Sequence, residues 1–153
     1  MKIERFEDLE AWKAARVLVS QVYDMTGQAQ DTGRDYRFRD QITAAAVSVM
    51  SNIAEGFSRR TDREFAQFLF ISKGSCAEVQ SLLYVALDQG YTNKVSFQKI
   101  YDQAESVARL TSGLITYLLR NTTKQSESPK GSAQTKDPGI TSAPPTQQTQ
   151  RTP

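Results

Sequence analysis

The sequence predicts an all-α fold, an antiparallel up-and-down four-helix bundle, and three observations carry that prediction. All five prolines (Pro129, Pro138, Pro144, Pro145, Pro153) lie beyond residue 121, so the body ahead of them lacks the residue a helix interior tolerates least. Four segments of that body show apolar residues recurring at steps of three and four. The polar stretches between them are short, which suits antiparallel neighbours.

The first helix is expected from about Glu7 to Met25, with acidic residues in its first turn, where the helix dipole favours them. Its stripe is Leu9, Trp12, Ala15, Val19 and Val22, broadened by Leu18 and Met25. A polar, glycine-bearing loop, Thr26 to Arg34, follows. The second helix starts near Asp35 or Tyr36 and ends at Gly56; its stretch from Gln41 is made largely of small residues, which let another backbone come close.

Thr61-Asp62-Arg63-Glu64 matches a capping box and opens the third helix. Its stripe runs through Phe65, Phe68, Leu69, Ser72, Cys76, Val79, Leu82 and Leu83 to Ala86, and Gly90 is the expected C′ glycine. Gly74 sits inside that pattern. An interior glycine costs about 1 kcal/mol against alanine, so close helix approach is its expected benefit. Gly74, Ser75 and Ala77 are therefore paired with the Ala44–Ala46 region. The fourth helix, with Ser96 as N-cap, carries Phe97, Ile100, Ala104, Val107, Thr111, Leu114 and Leu118 at 3-4-3-4-3-4 spacing. Leu110, Ile115 and Leu119 widen that stripe, and the repeat implies bundle-type packing.

The bundle is assigned to residues 1–121 and a tail to residues 122–153. The tail is mostly Thr, Ser, Gln, Pro and Gly, with Ile140 its one branched aliphatic. It cannot bury enough apolar surface to offset its ordering entropy, and disorder is expected. Residues 1–121 hold 15 Lys/Arg and 15 Asp/Glu, so the net +2 of the chain comes from the tail. A neutral body lacks the broad basic footprint of a dedicated nucleic-acid binder.

The single cysteine, Cys76, excludes an internal disulfide and fits a reducing compartment. No apolar run approaches the roughly 20 residues of a membrane span, and the start is too acidic for a signal peptide. A cytoplasmic protein without membrane association is expected. Histidine is absent. That rules out the Glu-x-x-His di-iron site of some bundles, histidine-based zinc sites, and Ser-His-Asp or Cys-His catalysis. With no glycine-rich phosphate loop either, the expectation is a protein that is not an enzyme, with no cofactor and no small-molecule substrate.

Two sets of residues remain as candidate sites. Ser48, Asn52 and Glu55 share one face of the second helix, beside its apolar stripe Ile42, Ala46, Val49 and Ile53. With Ser75 and Glu78 they form a candidate structural or inter-subunit polar network, since a buried polar group must find a partner. A carboxylate pair, Glu55 and Glu78, is also the one arrangement left for acid–base chemistry. Arg59, Arg60 and Arg63, flanked by Phe57 and Phe65, are candidate nucleic-acid contacts. Arg34, Arg37 and Arg39 cluster at the other end of the second helix, about 30 Å away. Acidic residues interleave with both clusters, so solvated ends and salt bridges are the competing reading.

Several of these residues form one ordered series. Phe6-x-x-Leu9-x-x-Trp12-Lys13-x-Ala15 is followed by Gln41-Ile42-x-x-Ala45-Ala46-Val47-Ser48-x-x-Ser51-Asn52-Ile53-Ala54-Glu55-Gly56, then Glu64-Phe65-x-x-Phe68-Leu69 and Gly74-Ser75-x-x-Glu78. The series resembles the four-helix-bundle family of 23S rRNA intervening-sequence proteins over about residues 3–121. The resemblance implies a ring-like homopentamer and kinship with accessory proteins of diversity-generating retroelements, which partner a reverse transcriptase and nucleic acid. It implies no catalytic activity. Met50 stands where that family often has proline, so a less kinked second helix is expected. The first functional expectation is therefore a self-associating, non-enzymatic module. The alternative is an RNA- or reverse-transcriptase-associated accessory protein using the arginines on an oligomer rim.

Overall fold

The computed structural model describes residues 3–28 and 35–126. A short 3-10 turn, Phe6–Asp8, leads into α1 (Glu10–Gln28), α2 (Tyr36–Phe57), α3 (Asp62–Asp88) and α4 (Lys94–Ser126). There is no strand among the described residues. Each helix packs on the two beside it, α1 on α2 and α4, α3 on α2 and α4, while the backbones of diagonal pairs stay apart. This is the up-and-down square that the periodicity predicts.

Local chemistry explains most helix ends. Asp35 caps α2 by accepting the Phe38 N–H at 3.0 Å. Its other oxygen accepts the Tyr91 hydroxyl at 3.1 Å, tying the start of α2 to the α3–α4 turn. Thr61 and Glu64 form the complete capping box of α3. α3 stops where Gly90 takes φ +74°, and the Tyr91 N–H returns to the Ala86 carbonyl at 2.8 Å.

Several boundaries differ from the sequence expectation. α1 proper begins at Glu10, because Phe6–Asp8 winds as a 3-10 turn whose Phe6 ring packs edge-on against Trp12, and it runs on to Gln28. The cap of α4 is Asn93, whose side-chain oxygen accepts the Ser96 N–H at 2.9 Å; Ser96 itself lies inside the helix. α4 also continues to Ser126, five residues past the expected boundary at residue 121, with the Thr122 and Thr123 hydroxyls bonded back to Leu118 and Leu119 carbonyls. The tail from residue 127, and Arg34, lie outside the described residues.

The core is a single cluster contributed by all four helices. Leu18, Ile42, Ile53, Leu69 and Leu83 are fully buried at its centre. Truncating any of them to alanine would cost about 2–5 kcal/mol. The expected stripes of α1, α2 and α3 face this core, though Trp12, Val19, Phe68 and Leu82 are only half-buried. On α4, Ile115 is buried, whereas Leu110 and Leu119 stand 40% and 39% exposed and do not join the stripe. Cys76 is buried in the centre, where burial pushes its thiol up to about 12.

The close backbone contact falls elsewhere than expected. Gly74 is exposed, and a Cβ placed on it meets nothing within 4 Å; Ala44 and Ala77 are exposed too. The reason is helical phase. The inward face of α3 runs through Ser72, Ser75, Cys76 and Val79, and Gly74, two residues on from Ser72, points the other way. Gly56 makes the close approach instead. A Cβ there would sit 2.6 Å from Phe65 Cδ2 and 2.8 Å from Phe68 Cβ. Gly56 is accordingly a helical residue of α2, not its terminator.

Candidate functional site

The expected polar network exists in part, along the α2–α3 seam. Ser48 Oγ and Ser75 Oγ lie 2.9 Å apart, joining the two helices. Asn52 donates from Nδ2 to the Ser48 carbonyl at 2.8 Å and to Ser48 Oγ at 3.0 Å. One turn along, Ser72 donates to the Val49 carbonyl at 2.9 Å, deep in the core. Small residues make this possible, since hydroxyls this short meet only when two backbones run close. The bonds all form within one chain, and two of them, Ser48–Ser75 and Ser72–Val49, cross from α2 to α3. Ser72 is the member that the sequence pattern disguised as an ordinary stripe position.

Glu55 and Glu78 are not part of it. Glu55 is exposed and ion-paired to Arg59 one turn on. Glu78 is exposed and holds no ion pair among the described residues. Because Ser48 is level with Ser75, and Val49 with Ser72, Glu78 lies near Ala44–Ala45 while Glu55 lies near Phe68. Ten or so residues of helix, roughly 15 Å, separate the two carboxylates. They do not form an acid–base pair.

The three arginines also divide. The Arg59 guanidinium is held by Glu55 and lies 4.4 Å from the centre of the Phe68 ring. Arg60 and Arg63 are exposed and hold no carboxylate among the described residues. Arg60 lines two adjoining clefts at this end of the bundle. One, of about 570 Å³, has Phe57, Phe65, Leu114 and Tyr117 among its walls; the other, of about 430 Å³, lies against Arg63 and Thr122. Arg37 and Arg39 at the far end are exposed. Among the described residues no group of acidic or cysteine side chains gathers as a metal site, and no helix is long and apolar enough to cross a membrane.

The outer face of α3 is a feature that the core pattern did not show. Phe70, Ile71, Tyr84 and Val85 are 54%, 53%, 52% and 42% exposed. Tyr84 packs its ring against the buried Phe97 and the half-buried Tyr101 of α4, with ring centres 5.0 and 6.0 Å from its own. The signal was present as a second 3-4 spacing on α3, Phe70-Gly74-Ala77-Ser81-Tyr84, running opposite the core stripe.

The fold and the seam define a small up-and-down helical bundle whose α2–α3 seam is bridged by serine hydrogen bonds. The sequence model of the 23S rRNA-intervening sequence proteins matches residues 7–113, and the chain belongs to that family. Among solved structures it is similar to a protein of unknown function from the S23 ribosomal protein family of Bacteroides thetaiotaomicron. The two share 14% identity, with a TM-score of 0.64, over 69% of this chain and 97% of that one. That likeness concerns the fold. Comparison with curated protein sequences gives no match.

Proposed function

We propose that this chain is a non-enzymatic, self-associating interaction module of the cytoplasm. One observation carries the reading: α3 already packs its inner face into the core, yet Phe70, Ile71, Tyr84 and Val85 stand well exposed on its outer face. Phe70 with Ile71 and Tyr84 with Val85 form two exposed apolar patches on that face, about 20 Å apart along the helix, and exposed apolar patches mark interaction sites. Ser48, Asn52 and Ser75 then hold the bundle in register, and Glu78 belongs to the outer surface. Light scattering of the full chain at tens of micromolar tests the reading. An assembly is expected, a ring of five being the size that the family resemblance implies. A monomer at that concentration refutes it.

A second reading, a nucleic-acid-associated accessory role beside rRNA or a reverse transcriptase, draws on Arg60 and Arg63, which hold no carboxylate among the described residues. Repeating a modest patch around an assembly raises avidity without new contacts. Filter binding of structured RNA at low salt tests it. Binding that survives Arg60→Ala/Arg63→Ala unchanged removes these residues from the reading, and no binding removes the reading.

A further inference from the structure

Two glycines lie in the middle of long helices with no reason internal to the bundle. Gly74 in α3 and Gly113 in α4 are both exposed, and a Cβ on either meets nothing within 4 Å. Neither takes positive φ, which among the described residues belongs to Gly90. Glycine weakens a helix relative to alanine. What it offers in return is a bare backbone that another helix can approach.

The surroundings of the two glycines complement each other. Around Gly74 stand Phe70 and Ile71 one turn before, and Ala77 and Glu78 one turn after, all exposed. Around Gly113 stand Arg109 and Leu110 before, and Thr116 and Tyr117 after, again exposed, with Tyr117 at 63%. Lay the two strips antiparallel with the glycines level. Glu78 then comes level with Arg109, Phe70 with Tyr117, and, further along, Asp88 with Lys99. None of these four charged side chains holds an ion pair among the described residues. A parallel alignment sets Glu78 against Tyr117 and Arg109 against Phe70, and brings only Arg63 level with an opposite charge, Asp102. The strip's complement in shape and charge is thus on the chain's own surface.

We propose that a second copy of this chain docks here, with the outer face of its α4 laid antiparallel against the outer face of α3, and Gly74 and Gly113 at the closest approach. The proposal rests on the self-association reading and names its contact. The contact joins two different faces, so each copy keeps one of each and the assembly repeats head to tail. α3 and α4 run in opposite senses within one bundle. An antiparallel α3–α4 contact between copies therefore keeps all bundle axes parallel, as closure into a ring requires.

The open space at both glycines makes a clean test, because a longer side chain there clashes with nothing in the single chain. Light scattering and helix content by circular dichroism are measured on the full chain and on Gly74→Gln, Gly113→Gln, Glu78→Arg, Arg109→Glu and Glu78→Arg/Arg109→Glu. The expected result is full helicity throughout. Both glycine variants and both single charge reversals should associate at least tenfold more weakly, and the double reversal should recover most of the loss. Association unchanged in the glycine variants overturns this contact while leaving self-association standing. A double reversal no better than the singles overturns the antiparallel pairing. Lost helicity in either glycine variant overturns it too, since the bundle itself would then need the glycine. A monomeric unmodified chain overturns contact and reading together.

Discussion

Gly56→Ala should destabilise the protein even though alanine is the better helix former. The added Cβ would stand 2.6 Å from Phe65 Cδ2 and 2.8 Å from Phe68 Cβ. The first atom belongs to a ring that can tilt, at the expense of its edge-on contact with Phe57, whose ring centre is 6.1 Å away. The second cannot move without its backbone, so the start of α3 must shift away from the end of α2. Overpacking of this kind costs about 1–3 kcal/mol, and two contacts under 3 Å point to the upper end. The helix-propensity gain of about 1 kcal/mol offsets part of it, leaving a net loss of about 2 kcal/mol. Urea denaturation at matched chain concentration reads it directly as a lower midpoint with an unchanged slope. Phe68→Ala should not rescue the variant, because it keeps the clashing Cβ. A Gly56→Ala protein as stable as the parent would refute the reasoning, by showing that the α2–α3 turn yields freely.

Three further outcomes follow from individual side chains. Thr111 is fully buried and its hydroxyl has no hydrogen-bond partner among the described residues; Thr111→Val should raise stability by about 1–2 kcal/mol, visible as a higher thermal midpoint. Thr61→Ala removes the capping box of α3 and should cost about 1 kcal/mol, measured by urea denaturation. Cys76 should resist thiol reagents at pH 8 in the folded protein and react rapidly in denaturant, because burial raises its pKa from 9.0 to about 12. The sign follows from linkage: the folded state favours the neutral thiol, so its contribution is intact below about pH 9 and is lost as pH climbs toward 12. A folded-state reaction rate equal to that of the unfolded chain would contradict the burial.

Helix existence, the Thr61 capping box, the Asp35 start and the Gly90 stop were legible in the sequence because each depends on residues within a turn or two of one another. The same holds for the inward stripes, which a period near 3.6 reveals without knowledge of the neighbours. The polar seam was only half legible. Ser48, Asn52 and Ser75 share the right faces, but Glu55 and Glu78 share them too, and periodicity does not say which polar residue faces a partner helix and which faces water. The α4 cap moved from Ser96 to Asn93 for a similar reason, since several nearby residues could each accept the free N–H groups.

By itself the sequence determined the class of fold, the four helices, the family, and the chemistry ruled out by the absence of histidine. Tertiary structure decided which glycine touches another helix and which stands bare. Gly56 and Gly74 look alike in sequence, each a glycine among small residues, and a rotation of one or two residues about the helix axis separates a buried backbone from an exposed one. That rotation is fixed when ridges of one helix settle into the grooves of the next, a relation between segments far apart in the chain. It buries Gly56 against two phenylalanines and turns Gly74 outward.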